Sequence, residues 1–407
     1  MEKMKKTFRI LSLLSAVFSA FLFVAIGYFD SIIPDSFYVS GAGKLRLNSV
    51  KYVEVRASGA ESPAMLERDT QSELMLLGIF PIKTVTASRT EPVQLLAGGT
   101  PFGIKLEANG AVAVDFFEID GRCPARECGL TEGDIIISAG GKEIHSNQSF
   151  ADSIMKSGGE PIELIIDRNG EKMNLRLTAI LDDGTYRAGV EIRDSSAGIG
   201  TITFYEPMTK MFAGLGHPVC DSTTGEIFPC GKGLVAPVEI TGIRKSENGD
   251  PGELQGIFTN SKPIGSIVKN CEEGVYGMLT EIPTDRKSYP LGFKQDISLG
   301  AATVISTLGD ETQEYSIEIE DINLTDSGTR NMVIRVTDER LLSEAGGIVQ
   351  GMSGSPIIQD GKIIGAVTHV FVKDTTGGYA IFSEKMYDEL LSCRMKECAY
   401  SQLSDAA

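Results

Sequence analysis

The sequence is poor in basic charge and in histidine. Its 407 residues include 38 lysines and arginines against 55 aspartates and glutamates, which gives a formal net charge of −17. This balance argues against nucleic-acid binding, because such binding needs a basic surface to meet the phosphates. It also argues against a body that lies flat on anionic lipid. Only three histidines are present, so a mechanism that uses histidine as a general base has few candidates.

Cysteine pairs with the spacing of a zinc or redox motif are also missing. None of the seven cysteines forms Cys-x-x-Cys, and the Cys123/Cys128 and Cys393/Cys398 spacings are too loose to predict zinc. We therefore expect no metal and no other cofactor. Buried or free thiols are the main expectation, and one or two disulfides suit a body outside the cytosol. The odd count leaves at least one thiol unpaired within one chain.

Long apolar runs are absent except for one near the N-terminus. Ile10 to Phe29 carries no charge, and about twenty such residues span a bilayer as a helix. The basic residues before it predict that this flank stays in the cytoplasm and that the rest of the chain lies outside. A cleaved signal peptide is the alternative, but its apolar core is usually about 7–15 residues long and is followed by a small-residue cleavage site. The sequence favours a membrane anchor over residues 1–30.

Beyond the anchor, short strands and turns predominate. The 45 glycines indicate many turns, and no long amphipathic helix is predicted before Lys385–Leu391. Short strands at this density predict a barrel or a sandwich. Residues 31–95 are expected to form a β-rich linking region, to which no chemistry is assigned.

Residues 96–182 carry the pattern of a PDZ domain. Pro101–Leu106 resembles the carboxylate-binding loop and the following strand of that family, and Cys128–Ser138 resembles its helix, Gly-Asp turn and strand. Ser149–Ser157 suits the helix that lines a PDZ groove. The resemblance implies that a peptide adds to a sheet edge while its carboxylate binds to Phe102, Gly103 and Ile104. A degenerate PDZ fold that serves only for packing is the alternative.

The strongest motif in the chain is Gly346–Pro356, in which Ser353 stands between two glycines. Asp360-Gly361 lies between two apolar runs just beyond it and predicts a hairpin. A serine on a tight loop before a hairpin has an exposed hydroxyl on a rigid base, as a nucleophile requires. Backbone N–H groups of such a loop can face a substrate oxygen. Ser355 is the rival nucleophile, but the proline after it favours a structural turn.

Among the three histidines, His217 is the best candidate for a general base. It lies in the glycine-bounded loop Gly214–Val219, and glycine permits close approach of a second backbone or of a substrate. His145 lies on a predicted turn, where a surface role is expected. His369 lies inside a predicted strand, where a packed structural role is expected.

The order histidine, acid, serine is that of chymotrypsin-type enzymes. Asp221, four residues after His217, is one candidate acid. Asp338 lies at the end of a predicted strand, where the residues alone predict a turn or helix-capping role. Gly351–Pro356 resembles the nucleophile loop of that class, but Met352 replaces its aspartate. Activation through a salt bridge from that aspartate to a new N-terminus is therefore not expected.

The basic anchor, the PDZ pattern, Ala197–Tyr205 and Gly346–Ile358 together resemble the SpoIVB peptidase family of endospore-forming bacteria over nearly the whole chain. The resemblance implies a mainly β fold, with a chymotrypsin-like β-barrel serine peptidase domain over residues 190–400 preceded by the PDZ domain and the transmembrane helix. It also implies a triad of His217, Asp338 and Ser353. Peptide N–H groups of Gly351 and Ser353 would then form the oxyanion hole.

The family resemblance further implies a role in sporulation signalling. Such proteins cross the forespore inner membrane into the intermembrane space, cleave themselves, and then cleave a membrane-bound regulator of an intramembrane metalloprotease. That cleavage triggers processing of the sigma-K precursor. The expected partners are therefore a protein substrate, the chain itself and the membrane.

Two other functions stay open at this point. One is a PDZ-based scaffold with an inactive peptidase fold, and the other is a degradative HtrA-like protease. The presence of His217, Asp338 and Ser353 together favours an active enzyme. HtrA proteins place the protease before the PDZ domain, whereas this sequence has the opposite order.

Overall fold

The computed structural model describes the backbone of residues 2–41, 43–57, 69–247, 249–259, 262–309, 311–325 and 328–404. Side chains are described from residue 4 to residue 395 of these ranges. Lys3, in the basic flank, and Cys398 lie outside the described side chains.

The chain begins with the helix α1 (Glu2–Ile32). Within the described residues it is the one helix that is long and apolar enough to cross a membrane, over Met4–Ile32. By length and composition it suits either a membrane anchor or a signal sequence.

A small sheet follows α1 directly, in the region predicted to be a β-rich link. Its strands are β1 (Ser36–Ser40), β2 (Val53–Ala57), β3 (Asp69–Leu76) and β4 (Phe80–Thr90). They lie in the order β1-β4-β3-β2, with β1 parallel to β4. Phe37, Leu74 and Val85 form the centre of its core, and Phe29 and Ile32 of α1 pack against it. The end of the helix and the sheet are therefore one packed unit.

The next segment, residues 94–187, contains the PDZ portion. The strands of this segment are β5 (Gln94–Ala97), β6 (Pro101–Phe116), β7 (Ile135–Ala139), β8 (Lys142–Glu143), β9 (Ile162–Arg168), β10 (Glu171–Leu177), β11 (Ile180–Asp182) and β12 (Thr185–Arg187). Its helices are α2 (Pro124–Glu127) and α3 (Asn147–Lys156). Strands β10, β9, β7 and the second half of β6 form a sheet over a separate core that includes Ile136, Phe150 and Leu164. Ser146 and Ser149 form a capping box that fixes the start of α3.

The first barrel is built around this insertion. Its further strands are β13 (Val190–Glu206), β14 (Met211–Gly214), β15 (Lys232–Ala236), β18 (Gly265–Cys271) and β19 (Gly274–Leu279). Strands β16 (Val238–Arg244) and β17 (Glu253–Phe258) form a separate two-stranded sheet, and β20 (Ser288–Pro290) pairs with β5 beside the barrel. The order β6-β15-β18-β19-β14-β13 closes on itself because β13 also pairs with β6. The PDZ portion thus lies between two strands of one barrel, and that barrel begins well before residue 190.

This closure corrects the predicted carboxylate loop of the PDZ domain. Gly103 lies opposite Ile199 on β13 and opposite Ala236 on β15, so both edges of β6 are paired there. Phe102, Gly103 and Ile104 therefore offer no free edge to a peptide. Their pattern suits a buried strand equally well, because a Cβ at Gly103 would lie 2.3 Å from the Phe258 ring.

The second barrel follows a short 3-10 turn at Lys294–Asp296. Its strands are β21 (Gly300–Thr307), β22 (Thr312–Ile322), β23 (Met332–Val336), β24 (Pro356–Gln359), β25 (Lys362–Val370) and β26 (Gly377–Phe382), closed in the order β21-β22-β23-β26-β25-β24. Helix α4 (Glu339–Ala345) precedes the loop that contains Ser353, and helix α5 (Ser383–Ser404) ends the described chain. Two barrels, a PDZ portion and an N-terminal apolar helix confirm the expected fold class.

Candidate active site

Ser353 lies on the loop between α4 and β24, where the two barrels meet. On the side of the second barrel, the Gly354 N–H donates to the Val367 carbonyl at 2.7 Å. On the side of the first barrel, the Thr201 N–H donates to the Ser353 carbonyl at 2.9 Å, and Thr201 Oγ1 donates to the Gly351 carbonyl at 2.7 Å. The loop is therefore fixed by hydrogen bonds to both barrels.

Gly354 is the tightest point of this contact. Its φ is +95°, and a Cβ there would lie 2.0 Å from the Thr201 carbonyl oxygen. We expect Gly354→Ala to lower the free energy of unfolding by about 2–5 kcal/mol, from left-handed strain plus steric overlap. Gly361→Ala is the matched control, since Gly361 has φ +74° but open space around it. Urea unfolding of both variants measures the difference, and equal losses would contradict the expected close contact.

Two peptide N–H groups of the loop are available as donors. Within the residues that the structure describes, the N–H groups of Gly351 and Ser353 donate to no protein acceptor, whereas those of Met352 and Ser355 donate to the carbonyls of Val349 and Met352. Gly351 adopts φ +97°, a conformation that glycine accepts without strain. Free, rigidly held N–H groups beside a serine are the requirement for an oxyanion hole.

His217 reaches the same place from the first barrel. The Leu215 N–H donates to the Thr201 carbonyl at 3.2 Å, and a Cβ at Gly216 would lie 3.0 Å from Thr368 Cγ2. The half-buried His217 ring has Nδ1 2.8 Å from the Pro218 carbonyl oxygen. A carbonyl only accepts, so Nδ1 carries the proton and Nε2 carries the lone pair. This is the tautomer that a general base needs.

The Ser353 hydroxyl is not directed at His217 in this structure. Ser353 Oγ donates to the Thr368 carbonyl at 2.8 Å. The β25–β26 ladder has a bulge between Val367 and His369, which leaves Thr368 outside the pairing and its carbonyl available. Hydrogen bonds between catalytic groups are often formed only when substrate binds.

His369 was expected to be a structural histidine, yet it lies against His217. The two ring centroids are 5.0 Å apart, with planes at 37°. His369 Nδ1 is buried and has no hydrogen-bond partner among the described atoms. Burial, and then the neighbouring His217 and Arg330, lowers the pKa of His369 to about 4. His369 lies inside strand β25, as the sequence predicts, and a register shift between Val367 and His369 precedes it.

Burial also lowers the pKa of His217 below its usual value of 6.5, against a smaller opposite effect of the Pro218 carbonyl. A histidine that acts as general base must be unprotonated, so if His217 has this role, activity should fall only as the pH drops through this lowered pKa. We expect the acid limb of the kcat/KM profile to have its midpoint below pH 6.5. A midpoint above 6.5 would contradict this and would indicate a carboxylate close to His217, since an opposite charge raises a histidine pKa.

Neither candidate acid touches His217 in the described structure. Asp338 is the N-cap of α4, and its carboxylate accepts from the Arg340 N–H, from Nε and Nη2 of Arg340, and from the Ser316 N–H, at 2.9–3.1 Å. Arg340 above all lowers the pKa of Asp338 far below its usual range. Asp221 is buried and bound to Arg193 Nη1 at 2.7 Å and to two backbone N–H groups.

The remaining alternatives also have defined places. Ser355 is fully buried, and its Oγ bonds to Ser306 Oγ at 3.1 Å. His145 is exposed, with Nε2 3.3 Å from Glu143. Both positions suit the roles expected from the sequence, a structural turn and a surface residue.

A strand edge beside α3 forms a second candidate site. Among the described residues, Val190–Ile199 of β13 pairs only with β6, so its other edge is open. Helix α3 lies next to it, with the Asn147 N–H 2.9 Å from an Asp194 carboxylate oxygen. The Ala188 and Gly189 N–H groups at the start of this strand have no acceptor in the described chain. An open edge, a helix and two free N–H groups are the elements of a PDZ groove.

One group of side chains has the spacing of metal ligands. Ligand atoms of Cys271, Glu273 and Glu389 all lie within 4.8 Å of one another. Glu389 already pairs with Lys269, and burial raises the pKa of the Cys271 thiol to about 12. An ammonium group therefore already supplies positive charge here, and the neutral thiol is a poor ligand.

Comparison with known protein families identifies the family of the region that contains His217, Asp338 and Ser353. The family model described as SpoIVB peptidase S55 matches residues 184–387, and a PDZ-domain model matches residues 118–168. The chain belongs to the SpoIVB peptidase S55 family. The family match spans His217, Asp338 and Ser353, and it confirms the resemblance predicted from the sequence. The PDZ match begins after Phe102–Ile104, in agreement with their place in a barrel strand.

Individual relatives match only short parts of the chain. A putative zinc metalloprotease of Thermotoga maritima is 44% identical over 68 residues, which are 17% of this chain and 13% of that protein. Serine protease HTRA1 of Xenopus tropicalis is 46% identical over 55 residues, 14% of this chain and 12% of that protein. The chain thus spans about an eighth of the length of these curated relatives.

Among solved structures, the active form of the Rv3671c protease of M. tuberculosis matches 48% of this chain and 74% of its own, with 15% identity and a TM-score of 0.30. A likeness this low says nothing about residues or substrates.

Proposed function

We propose that this protein is a membrane-anchored serine endopeptidase with Ser353 as nucleophile and His217 as general base. The observation that carries the proposal is that the loops of both residues contact Thr201 and Thr368 at the barrel seam, beside two free N–H groups. Membership of the SpoIVB peptidase S55 family supports it.

In the proposed reaction, the Ser353 hydroxyl turns from the Thr368 carbonyl toward His217 Nε2. His217 accepts its proton while Ser353 Oγ attacks the peptide carbonyl carbon. The N–H groups of Gly351 and Ser353 stabilise the oxyanion, an effect worth about 2.7–4 kcal/mol per donor. His217 then protonates the leaving amine, and water hydrolyses the acyl-enzyme by the same proton transfers.

Asp338 is proposed as the acid that stabilises the His217 imidazolium. For this role its carboxylate must exchange Arg340 for His217. Under this proposal, the structure corresponds to a resting arrangement. In it, the Ser353 hydroxyl donates to the Thr368 carbonyl and the Asp338 carboxylate pairs with Arg340. Met352 in place of an aspartate is consistent with activation by a rearrangement other than a new N-terminal salt bridge.

We further propose the family's signalling role for this chain. It would be inserted in the forespore inner membrane through α1, with its body in the intermembrane space, and would cleave itself and a membrane-bound regulator of an intramembrane metalloprotease. Processing of the sigma-K precursor would follow. Incubation of the purified full chain, with mass spectrometry of its fragments, tests self-cleavage. Rapid, broad digestion of unfolded casein would instead favour a degradative HtrA-like protease.

A second proposed activity is peptide binding on the open edge of β13. A peptide would add as a strand between β13 and α3, with its C-terminal carboxylate on the N–H groups of Ala188 and Gly189. Those two free N–H groups carry this proposal.

Amide hydrogen exchange distinguishes this groove from the one predicted at Phe102–Ile104. We expect hexapeptides with an apolar last residue and a free carboxylate to slow exchange over Ala188–Asp194. Their C-terminal amides serve as controls and should bind at least about tenfold more weakly, because the carboxylate contact is lost. Protection confined to Phe102–Ile104 would contradict the proposed groove.

A further inference from the structure

One end of the small β1–β4 sheet carries large apolar side chains that no described part of the chain covers. Tyr52, Leu77 and Ile79 are 69%, 57% and 67% exposed. The Leu77 N–H donates to the Tyr52 carbonyl at 2.8 Å, and Ile79 follows in the same turn. These three residues, here named the apolar tip, therefore share one end of the sheet.

The backbone of the tip is also unfavourable for the residues it holds. Tyr52 has φ +68° and Leu77 has φ +55°. Bulky side chains are disfavoured in this left-handed region, where hairpins usually place glycine or asparagine. A turn in water would gain from a small polar residue at both positions, in conformation and in solvation. An outlier of this kind on a surface is evidence for a function.

Strand topology directs the tip back toward the membrane helix. Strand β1 leaves the end of α1 and pairs in parallel with β4 from Thr86 onward. Among the described residues, the earlier part of β4 has no partner strand on that edge. It lies beside the end of the helix, where Lys83 Nζ bonds to the Asp30 carbonyl at 3.0 Å and to Asp35 Oδ1 at 2.7 Å. Ile79 lies four residues before Lys83, roughly 13 Å further back along the strand direction.

We propose that the apolar tip inserts into the interface of the bilayer that α1 spans. The inference rests on the membrane anchoring proposed above. Leucine and isoleucine suit the acyl boundary, and a tyrosine suits the headgroup level beside them. A single helix leaves a body free to rotate about its axis. A second contact would fix the height and orientation of both barrels above the membrane, as cleavage of a membrane-bound substrate near the surface requires.

The test uses the absence of tryptophan from the sequence. Leu77→Trp and Ile79→Trp each give a full chain with a single tryptophan, which is reconstituted into phosphatidylcholine vesicles with brominated acyl chains. We expect blue-shifted emission and strong quenching at both positions. Leu181→Trp is the control on the PDZ portion, since Leu181 is 55% exposed, and it should be unquenched. Phe23→Trp, within α1, reports insertion of the helix itself.

The outcomes separate the tip from the anchor. Quenching of Phe23→Trp without quenching at positions 77 and 79 would overturn the tip proposal and leave the anchor intact. Equal quenching of Leu181→Trp would overturn it too, because the whole body would then contact lipid. Absence of quenching at all four positions would overturn both the tip and the anchor.

Discussion

Replacing Ser353 with alanine is expected to abolish self-cleavage, with a fall in turnover on the order of 10⁶-fold. The reason is that the attacking oxygen is lost, while the loop stays fixed by backbone hydrogen bonds and by Thr201. The measurement is the rate of fragment formation on a gel, confirmed by mass spectrometry. Processing of the variant at the parent's rate would refute the proposed nucleophile.

Ser355→Ala is the matched control, because it removes a hydroxyl only two residues away. Ser355 Oγ makes one buried hydrogen bond, to Ser306 Oγ. Its loss should cost about 1 kcal/mol of unfolding free energy and leave turnover within a few-fold. If Ser355→Ala and Ser353→Ala lost activity equally while both stayed folded, the assignment of the nucleophile would have to be revised.

Replacing Asp338 with asparagine is expected to lower turnover by about 10⁴-fold if its carboxylate stabilises the imidazolium. The substitution is informative because asparagine caps a helix as well as aspartate does. Helix α4 should therefore persist, and thermal unfolding checks this. Steady-state turnover of a peptide cut by the parent gives the effect.

Two companion variants make the Asp338 result decisive. Arg340→Gln releases the carboxylate from its ion pair, so it should keep or raise activity. Asp221→Asn weakens the Arg193 cluster and should lower stability rather than turnover. A fall of less than about threefold in Asp338→Asn would leave Asp338 as a helix cap, with the Pro218 carbonyl alone orienting His217.

The local motifs around the site could be predicted because each depends on nearby residues. Ser353 between glycines, with the Asp360-Gly361 turn beyond it, has one compact solution, a loop leading into a hairpin. The structure contains both, with β24 and β25 joined at that turn. His217 in its glycine-bounded loop is similar, since Gly216 is what allows contact with the second barrel.

Other features depended on contacts that no local pattern encodes. His369 lies inside a strand, as the sequence predicts, but the contact of its ring with His217 joins residues 152 positions apart and follows a register shift that the apolar pattern does not encode. Phe102–Ile104 matched a PDZ loop, but closure of the first barrel pairs both of its edges. Asp338 follows β23 and caps α4, a role that the sequence left open, but its carboxylate also accepts from the Ser316 N–H on β22, 22 residues earlier.

By itself, the sequence determined the mainly β class, the apolar N-terminal helix, the resemblance to the family and the two residues of the proposed catalytic pair. These follow from composition, apolar run length and short motifs, which are properties of neighbouring residues. Only the tertiary structure decided that the PDZ portion is inserted into the first barrel, and that its open edge is on β13. Strand closure joins residues nearly a hundred positions apart, such as Phe102 and Gly200, and pairing over that separation is selected by the fit of the whole barrel.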